Sequence, residues 1–227
     1  EKSAIKVDPF YMDEAPVTNH QYVEFLNHKR SKVDIEKNVV RSDDKIWLLL
    51  GAVKEGYEPI VFRNGEFELT NAAYASLPVL RVTAYGAFAY ARYYGRRLPS
   101  YAEWIYVQTK DSNNQKNSTA SHSAAEGGEL EAMHGTMHGQ KGNGLSFKNE
   151  IQKELYPVTN FPPNKYGIRG LSEGISEWGH RSLEEDPEYK GIEPEFVVVP
   201  SGVIRQPWES FEKVGFRCVL SSRTNKK

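Results

Sequence analysis

The chain has 227 residues, which is enough to bury a sizeable core, and it is most simply one domain. Its 29 basic residues nearly balance its 30 acidic ones, so we do not expect nucleic acid as a partner. No apolar run approaches the roughly 20 residues that cross a bilayer, and we predict no membrane span. The single cysteine, Cys218, excludes an internal disulfide.

The chain opens with a predicted strand and a predicted helix. Residues 5–12 alternate in part between polar and apolar side chains, which indicates a strand. Thr18 and Gln21 have the spacing of a capping box, in which each side chain accepts a hydrogen bond from the main-chain N–H of the other. A helix should therefore begin after Thr18 and bury Tyr22 and Phe25.

Residues 31–80 are mixed in character and predict a meander of short strands. The apolar residues 46–50 indicate a buried strand within it. Residues 60–69 predict a hairpin, because Asn64-Gly65 is the favoured pair for the two positive φ angles of a type I′ turn.

Two capped helices joined by a short connector are predicted over residues 81–104. Thr83 can cap the first helix, and Gly95 stands where a left-handed C-terminal residue is wanted. Ser100 and Glu103 form a second capping box at the start of the next helix. The predicted apolar face of the first helix consists of Ala87, Phe88, Ala91 and Tyr94.

The second half of the chain is less regular. Residues at about 109–150 are rich in Ser, Asn, Gly and Lys, which predicts a long polar loop inserted into the domain. Residues 156–178 carry paired prolines and repeated glycines and predict irregular structure. Two strands are predicted at the end, over residues 196–204 and 213–222.

Four blocks of this sequence, at residues 10–27, 77–107, 156–178 and 214–219, together resemble the formylglycine-generating enzyme family, also called the sulfatase-modifying factor domain. The resemblance implies a single α+β domain over residues 1–227 with few helices, short strands and much irregular structure, related to C-type lectin-like folds. It is a bacterial-type domain in this interpretation.

The resemblance also bears on the cellular compartment. Members of the family are usually exported or lumenal, so we expect a periplasmic, extracellular or other exported location. The chain begins at Glu1 without a methionine, from which we expect that a leader or anchor has been removed.

The family's enzymatic chemistry depends on cysteines that this chain lacks. In those enzymes a copper-loaded cysteine pair oxidises a cysteine of a sulfatase to formylglycine, and the pair lies between the third and the fourth of the blocks named above. The corresponding residues 195–213 contain no cysteine here. A cuprous ion prefers thiolate ligands, so we do not expect sulfatase-type oxidation.

Cys218 is interpreted as a structural residue. In family members the cysteine of the Gly-Phe-Arg-Cys motif, at residues 215–218 here, often forms a disulfide with a cysteine in the helix before the Arg-Arg-Leu-Pro connector. Ala91 occupies that helix position in this chain. The resemblance therefore implies that Cys218 is a buried, small apolar side chain packed near Ala91.

Calcium is the cofactor that the resemblance suggests. The family binds structural calcium through an Asn-x-x-Glu pattern, and this chain has Gly174 and Glu177 at those positions. Glu177 keeps the carboxylate, a hard oxygen ligand, whereas Gly174 supplies no side-chain oxygen.

A transition-metal site is a second alternative. His134 and His138 have the i, i+4 spacing that places two imidazoles on one helical face. They lie between glycines in the polar segment, so solvated loop histidines are the favoured interpretation.

Several aromatic residues are candidates for a groove, although core packing would explain them equally well. They are Tyr90, Tyr93, Tyr94, Trp104, Trp178 and Trp208.

These observations favour a non-catalytic member of the family that binds another protein or serves in structural assembly. One alternative is a divergent oxidase dependent on copper or iron, which would use His134 or His138 in place of the lost cysteines. Another is a calcium-dependent, lectin-like binder of carbohydrate.

Overall fold

The computed structural model describes residues 7–109, 156–171, 175–181 and 194–222. Over these residues the chain is α+β, with three α-helices and eleven short strands joined by irregular segments. This confirms the predicted class. The predicted polar insertion falls, from residue 110 onward, outside the described residues.

The helices and strands are numbered in chain order. The helices are α1 (Asn19–His28), α2 (Ala84–Tyr93) and α3 (residues 101–109). The strands are β1 (Phe10–Met12), β2 (Asp34–Glu36), β3 (Val39–Ser42), β4 (Lys45–Leu49), β5 (Ile60–Arg63), β6 (Glu66–Leu69), β7 (Ser176–His180), β8 (Phe196–Val199), β9 (Val203–Ile204), β10 (Val214–Gly215) and β11 (Val219–Ser221).

All three helices begin at the predicted caps. Thr18 and Gln21 form the reciprocal capping box of α1, and the Thr83 side chain accepts a hydrogen bond from the Gly86 N–H in α2. At α3 the Ser100 N–H donates to Glu103 at 2.8 Å, and the Glu103 N–H donates back to the Ser100 hydroxyl at 3.2 Å. The chain therefore fixes its helix starts locally.

The buried face of α2 differs in part from the predicted one. Ala84, Ala87 and Ala91 are fully buried, whereas Tyr94 is 41% exposed. The prediction was wrong for Tyr94 because this residue is the C-cap, where the chain leaves the helical path before Gly95, whose φ is +66°.

Three hairpin turns shape the region before α2. Asn64-Gly65 between β5 and β6 has both φ angles positive, which confirms the predicted type I′ turn. The turns between β2 and β3 and between β3 and β4 also have two positive φ angles each, at Lys37-Asn38 and Asp43-Asp44. These two turns were not predicted individually because neither contains glycine.

The largest sheet has the strand order β10-β7-β8-β9. β10 runs parallel to β7, and β8 is antiparallel to both β7 and β9. Residues 196–204, predicted as one strand, form β8 and β9 joined by a turn that contains a cis Val199–Pro200 bond. β9 is one edge of this sheet, and within the described ranges no further strand pairs with it, so we call it the open edge.

Two further strand predictions are corrected. Residues 213–222 do not form one strand but two, β10 and β11, which belong to different sheets. Residues 216–218 separate them, because the carbonyls of Phe216 and Cys218 accept hydrogen bonds from the N–H groups of Val17 and Asp13. Of the strand predicted over residues 5–12, the described part contains only β1, which pairs with β11. Pro9 precedes β1 and has no N–H to donate to a ladder.

The described side chains form two principal cores. The main core packs α1 and α2 against β4 and the sheet, with Tyr22, Phe25 and Trp178 fully buried at its centre. A second core lies between α3 and β8, around Trp104 and Val197. The four-stranded sheet therefore has an apolar core on each face.

None of the helices in the described ranges has the length and apolar character that crossing a membrane requires.

Candidate functional site

The segment between β7 and β10 is the place where the resemblance locates the enzymatic cysteines, and its described part, residues 194–213, contains none. β8 is largely buried within this segment, whereas both residues of β9 are exposed. The segment is therefore a surface built on a buried strand.

The main chain of β9 has an unpaired side. The N–H of Gly202 donates to the Val198 carbonyl at 2.8 Å, and the N–H of Arg205 donates to the Phe196 carbonyl at 3.1 Å. The Gly202 bond closes the turn, whereas the Arg205 bond belongs to the ladder. Ile204 directly precedes Arg205 and lies opposite Val197, so its N–H and C=O point away from β8. These two groups are directed to the open edge of the sheet.

Apolar side chains are exposed beside this edge. Val203 is 45% exposed, Ile204 46% and Trp208 54%. Arg205 is exposed as well, and its guanidinium lies 5.3 Å from the centre of the Phe211 ring. We call Val203, Ile204, Arg205 and Trp208 the β9 patch.

The hydroxyl groups of this segment are occupied in structural hydrogen bonds. Ser201 donates to the Val198 carbonyl at 2.9 Å, and Ser210 donates to the Arg81 carbonyl at 2.9 Å. Ser201 thus belongs to a turn, in which Gly202 has a φ of +69°. The Glu209 carboxylate accepts the Gln206 N–H at 2.8 Å. Among the described residues neither serine hydroxyl is hydrogen-bonded to a side chain that could act as its general base.

Glu177, on β7, is held in a buried ion pair. Its carboxylate accepts hydrogen bonds from the Nε and Nη2 atoms of Arg217, at 2.8 and 2.7 Å, and from Trp104 Nε1 at 3.1 Å. The side chains of Glu177 and Arg217 are both fully buried. Both carboxylate oxygens already have cationic or N–H partners, an arrangement that does not fit a calcium ligand.

The other predicted metal ligands lie outside the described residues: Gly174, His134 and His138. A calcium or transition-metal site involving them stays a prediction from sequence. Within the described ranges there is no group of three or more His, Cys, Asp or Glu residues that could hold a metal ion.

Cys218 is fully buried next to Asp13. Its main-chain N–H donates to Asp13 Oδ2 at 3.1 Å, and Arg96 pairs with the same carboxylate. Burial raises the pKa of the Cys218 thiol well above its ordinary value, and the nearby Asp13 carboxylate raises this pKa further. A protonated, inaccessible thiol is a poor nucleophile and a poor metal ligand.

Cys218 and Ala91 belong to the same core. Both are fully buried in the main core, and Arg97, six residues after Ala91, pairs with Val219, the neighbour of Cys218. The Arg97 N–H donates to the Val219 carbonyl at 3.0 Å, and the reverse bond is 2.8 Å long. The α2 connector and the strand of Cys218 are thus adjacent, as the implied packing requires.

The candidate aromatic residues divide into buried and exposed groups. Trp104 and Trp178 are fully buried, and Trp178 donates to the Val82 carbonyl at 2.9 Å. Tyr93, Tyr94 and Trp208 are each at least 40% exposed. Trp208 is the member of the set that belongs to the β9 patch.

A cavity of about 500 Å³ lies on another part of the molecule, between β1 and α3. Its lining is mainly apolar and aromatic, and includes Phe10, Tyr106, Tyr166 and Ile168. Asp8 is the carboxylate among the described lining residues. This cavity was not predicted from the sequence, because β1 and α3 are far apart along the chain.

Comparisons with known proteins agree with the motif blocks. A family model described as "Sulfatase-modifying factor enzyme 1-like domain" matches residues 1–222. The chain is 30% identical over 228 residues to the serine/threonine-protein kinase Pkn1 of Chlamydia trachomatis serovar L2, which covers 97% of this chain and 31% of that protein. It is also 25% identical over 230 residues to the formylglycine-generating enzyme of Bos taurus, covering 82% of this chain and 54% of the enzyme.

The chain thus spans about a third of the length of the Chlamydia kinase and about half of the bovine enzyme. Among solved structures it is similar to CarF, with a TM-score of 0.49 and 16% identity over 94% of this chain and 87% of that one.

Proposed function

This chain belongs to the sulfatase-modifying factor family, and we propose that it is a non-catalytic member that binds another protein. The observation that carries the proposal is the state of its one cysteine. Cys218 is fully buried and hydrogen-bonded through its main chain, and the chain has no second thiol with which to hold a cuprous ion.

The residues present do not fit the copper site of the family's enzymes. Two thiolates are needed there, and the segment at 195–213 that should provide them has none. The hydroxyls of Ser201 and Ser210 in this segment donate hydrogen bonds to main-chain carbonyls. What remains at this place is a surface of apolar and cationic side chains, which supports binding.

The Chlamydia relative supports a modular role. A domain similar to this chain makes up 31% of a protein named as a serine/threonine-protein kinase. A domain of this family can therefore be one part of a larger protein that is named for a different activity. We assign the chain a recognition role within such an arrangement, and no kinase activity.

The proposed compartment is periplasmic, extracellular or otherwise exported. This proposal is supported by the family resemblance, because members of the family are usually exported or lumenal. Fractionation of source cells, with the chain detected by antibody, tests this part independently. Recovery with cytosolic markers would contradict it.

The catalytic part of the proposal is tested by assaying the purified chain beside the bovine formylglycine-generating enzyme. Both proteins are incubated with cuprous ion, oxygen, a thiol reductant and a peptide that carries a sulfatase's target cysteine. We expect formylglycine from the bovine enzyme and none from this chain, as read by mass spectrometry. Formation of the aldehyde by this chain would overturn the proposal.

The binding part requires a specific partner. The immobilised chain is exposed to an extract of its source cells, and captured proteins are quantified against a heat-denatured sample of the same chain. A single protein captured in near-stoichiometric amount, and then bound when purified, is the expected result. Equal capture by folded and denatured samples would contradict specific binding.

A further inference from the structure

We propose that the β9 patch binds an extended segment of a partner protein, which adds a strand to the open edge of the sheet and places a carboxylate near Arg205. This inference rests on the proposed protein-binding function and names its surface. Four observations on the described residues carry it.

The first observation is the free main-chain pair at Ile204. Its neighbour Arg205 donates its N–H group inward to the Phe196 carbonyl of β8, so the N–H and C=O of Ile204, which lies directly opposite Val197, face outward. The part of the chain that the structure describes offers Ile204 no hydrogen-bond partner on that side. An added strand would pair with both groups.

The second observation is the concentration of exposed apolar side chains. Apart from tyrosines, whose hydroxyl reaches water readily, four large apolar residues are highly exposed in the described ranges: Val203, Ile204, Trp208 and Leu220. Three of these four lie within the six residues 203–208. Clustering of this kind marks an interaction surface, whereas single exposed residues are common.

The third observation decides the shape of the partner. Val203 pairs with Val198 and therefore lies on the sheet face of the main core. Ile204 pairs with Val197 and lies on the opposite face, above the second core. A globular surface placed against one face would cover only one of the two side chains. A strand added at the edge covers both, because its own side chains alternate between the faces.

The fourth observation is the charge of Arg205. Its guanidinium stacks on Phe211 and forms no ion pair within the described ranges. The nearby Glu209 carboxylate is already bound to the Gln206 N–H. An incoming acidic side chain would therefore find a positioned cation, and Arg commonly serves at interfaces in this way.

The probe is a displayed library of short linear peptides, selected on the folded full chain. The best peptide is then synthesised in two forms, one unmodified and one with alternate main-chain nitrogens methylated to remove strand hydrogen bonds. We expect the selected peptides to combine branched apolar residues with a carboxylate. Methylation of the edge-facing nitrogens should weaken binding about tenfold or more, as measured by calorimetry.

Variants locate the binding. Ile204→Lys and Trp208→Ala should each weaken binding of the unmodified peptide about tenfold or more while leaving the thermal midpoint nearly unchanged. Leu220→Lys is the matched control, because Leu220 is a 49% exposed branched residue on β11, and it should leave binding unaltered. Arg205→Glu should weaken binding to the acidic peptide and restore it for a peptide with Lys in place of the carboxylate.

Three results with peptides would overturn the inference: no selected peptide, binding that is insensitive to the Ile204 and Trp208 variants, or equal binding of the methylated peptide. A concentration-dependent dimer that is lost in Ile204→Lys would assign the edge to a second copy of the chain and would equally overturn it. Each of these leaves the proposed function standing if a purified partner still binds. Formylglycine production is the separate result that removes the proposed function itself.

Discussion

Arg217 and Glu177 form a fully buried, bidentate ion pair. The Nη2 and Nε atoms of the guanidinium lie 2.7 and 2.8 Å from the two carboxylate oxygens. Arg217 also donates to the Arg169 carbonyl at 2.8 Å, and Trp104 donates to Glu177. The pair therefore joins the loop before β7, α3 and the chain after β10.

Replacing Arg217 with Met should strongly destabilise the fold. The substitution leaves the Glu177 carboxylate buried without its cation, and loss of one partner of a buried pair costs about 3–5 kcal/mol. Urea unfolding followed by tryptophan fluorescence measures the change in free energy of unfolding.

The exposed pair between Arg181 and Glu195 provides the matched control. Its atoms are 3.0 Å apart, but the side chains are 63% and 50% exposed. Arg181→Met should therefore cost no more than about 1 kcal/mol. Similar losses for Arg181→Met and Arg217→Met would contradict the role of burial.

Glu103 should make the stability of the chain depend on pH. Burial alone would raise the pKa of its carboxyl, but hydrogen bonds and charge from Arg97, with the Ser100 N–H, lower the pKa below its ordinary value of 4.5. The folded state therefore favours the ionised form. This contribution is fully present above the unfolded pKa and is lost as the pH falls through the folded pKa.

The test compares Glu103→Gln with the parent chain across a series of pH values. At neutral pH the parent should be more stable, and the difference should shrink as the pH falls below about 4.5. A difference for Glu103→Gln that is constant with pH would refute the assignment.

Gly86→Ala should destabilise the chain, although alanine favours helices over glycine by about 1 kcal/mol. An added Cβ at Gly86 would stand 2.1 Å from the Trp47 carbonyl oxygen and 2.6 Å from the Tyr22 hydroxyl. The carbonyl belongs to the main chain of β4 and cannot turn aside. Overpacking of this kind costs about 1–3 kcal/mol.

The control for Gly86→Ala is Ala89→Gly, on the partly exposed side of the same helix. This reverse change should destabilise by the ordinary propensity difference of about 1 kcal/mol. Thermal unfolding followed by circular dichroism ranks the two variants. A stabilised Gly86→Ala variant would show that α2 does not approach β4 as closely as described.

The sequence predicted best those features that neighbouring residues determine. Capping boxes and the Asn64-Gly65 turn depend on groups within four residues of one another, and all are confirmed. The family was recognisable because its motif blocks keep their order and spacing.

The sequence predicted poorly the features that depend on distant partners. Residues 196–204 were predicted as one strand although Pro200, Ser201 and Gly202 interrupt its apolar residues, and nothing local shows that β9 becomes an edge strand. The partner of Glu177 was missed for the same reason. Arg217 lies 40 residues away along the chain. The residues around Glu177 form the same local pattern whether its carboxylate binds a metal ion or an arginine side chain.

Cys218 should resist modification as long as the chain is folded. It is fully buried, and burial together with the Asp13 carboxylate raises its pKa well above the ordinary value of 9.0, so little thiolate is present and little can be reached. Labelling by a disulfide reagent at neutral pH should be on the order of a hundredfold slower in the native chain than in guanidinium chloride, because it requires opening of the core.

The control is the double variant Cys218→Ala with Leu220→Cys, which moves the thiol two residues along the chain to an exposed site on β11, where it should react rapidly in the folded state. Fast labelling of the native parent chain would place a reactive thiol at the surface and would remove the main support for a non-catalytic domain.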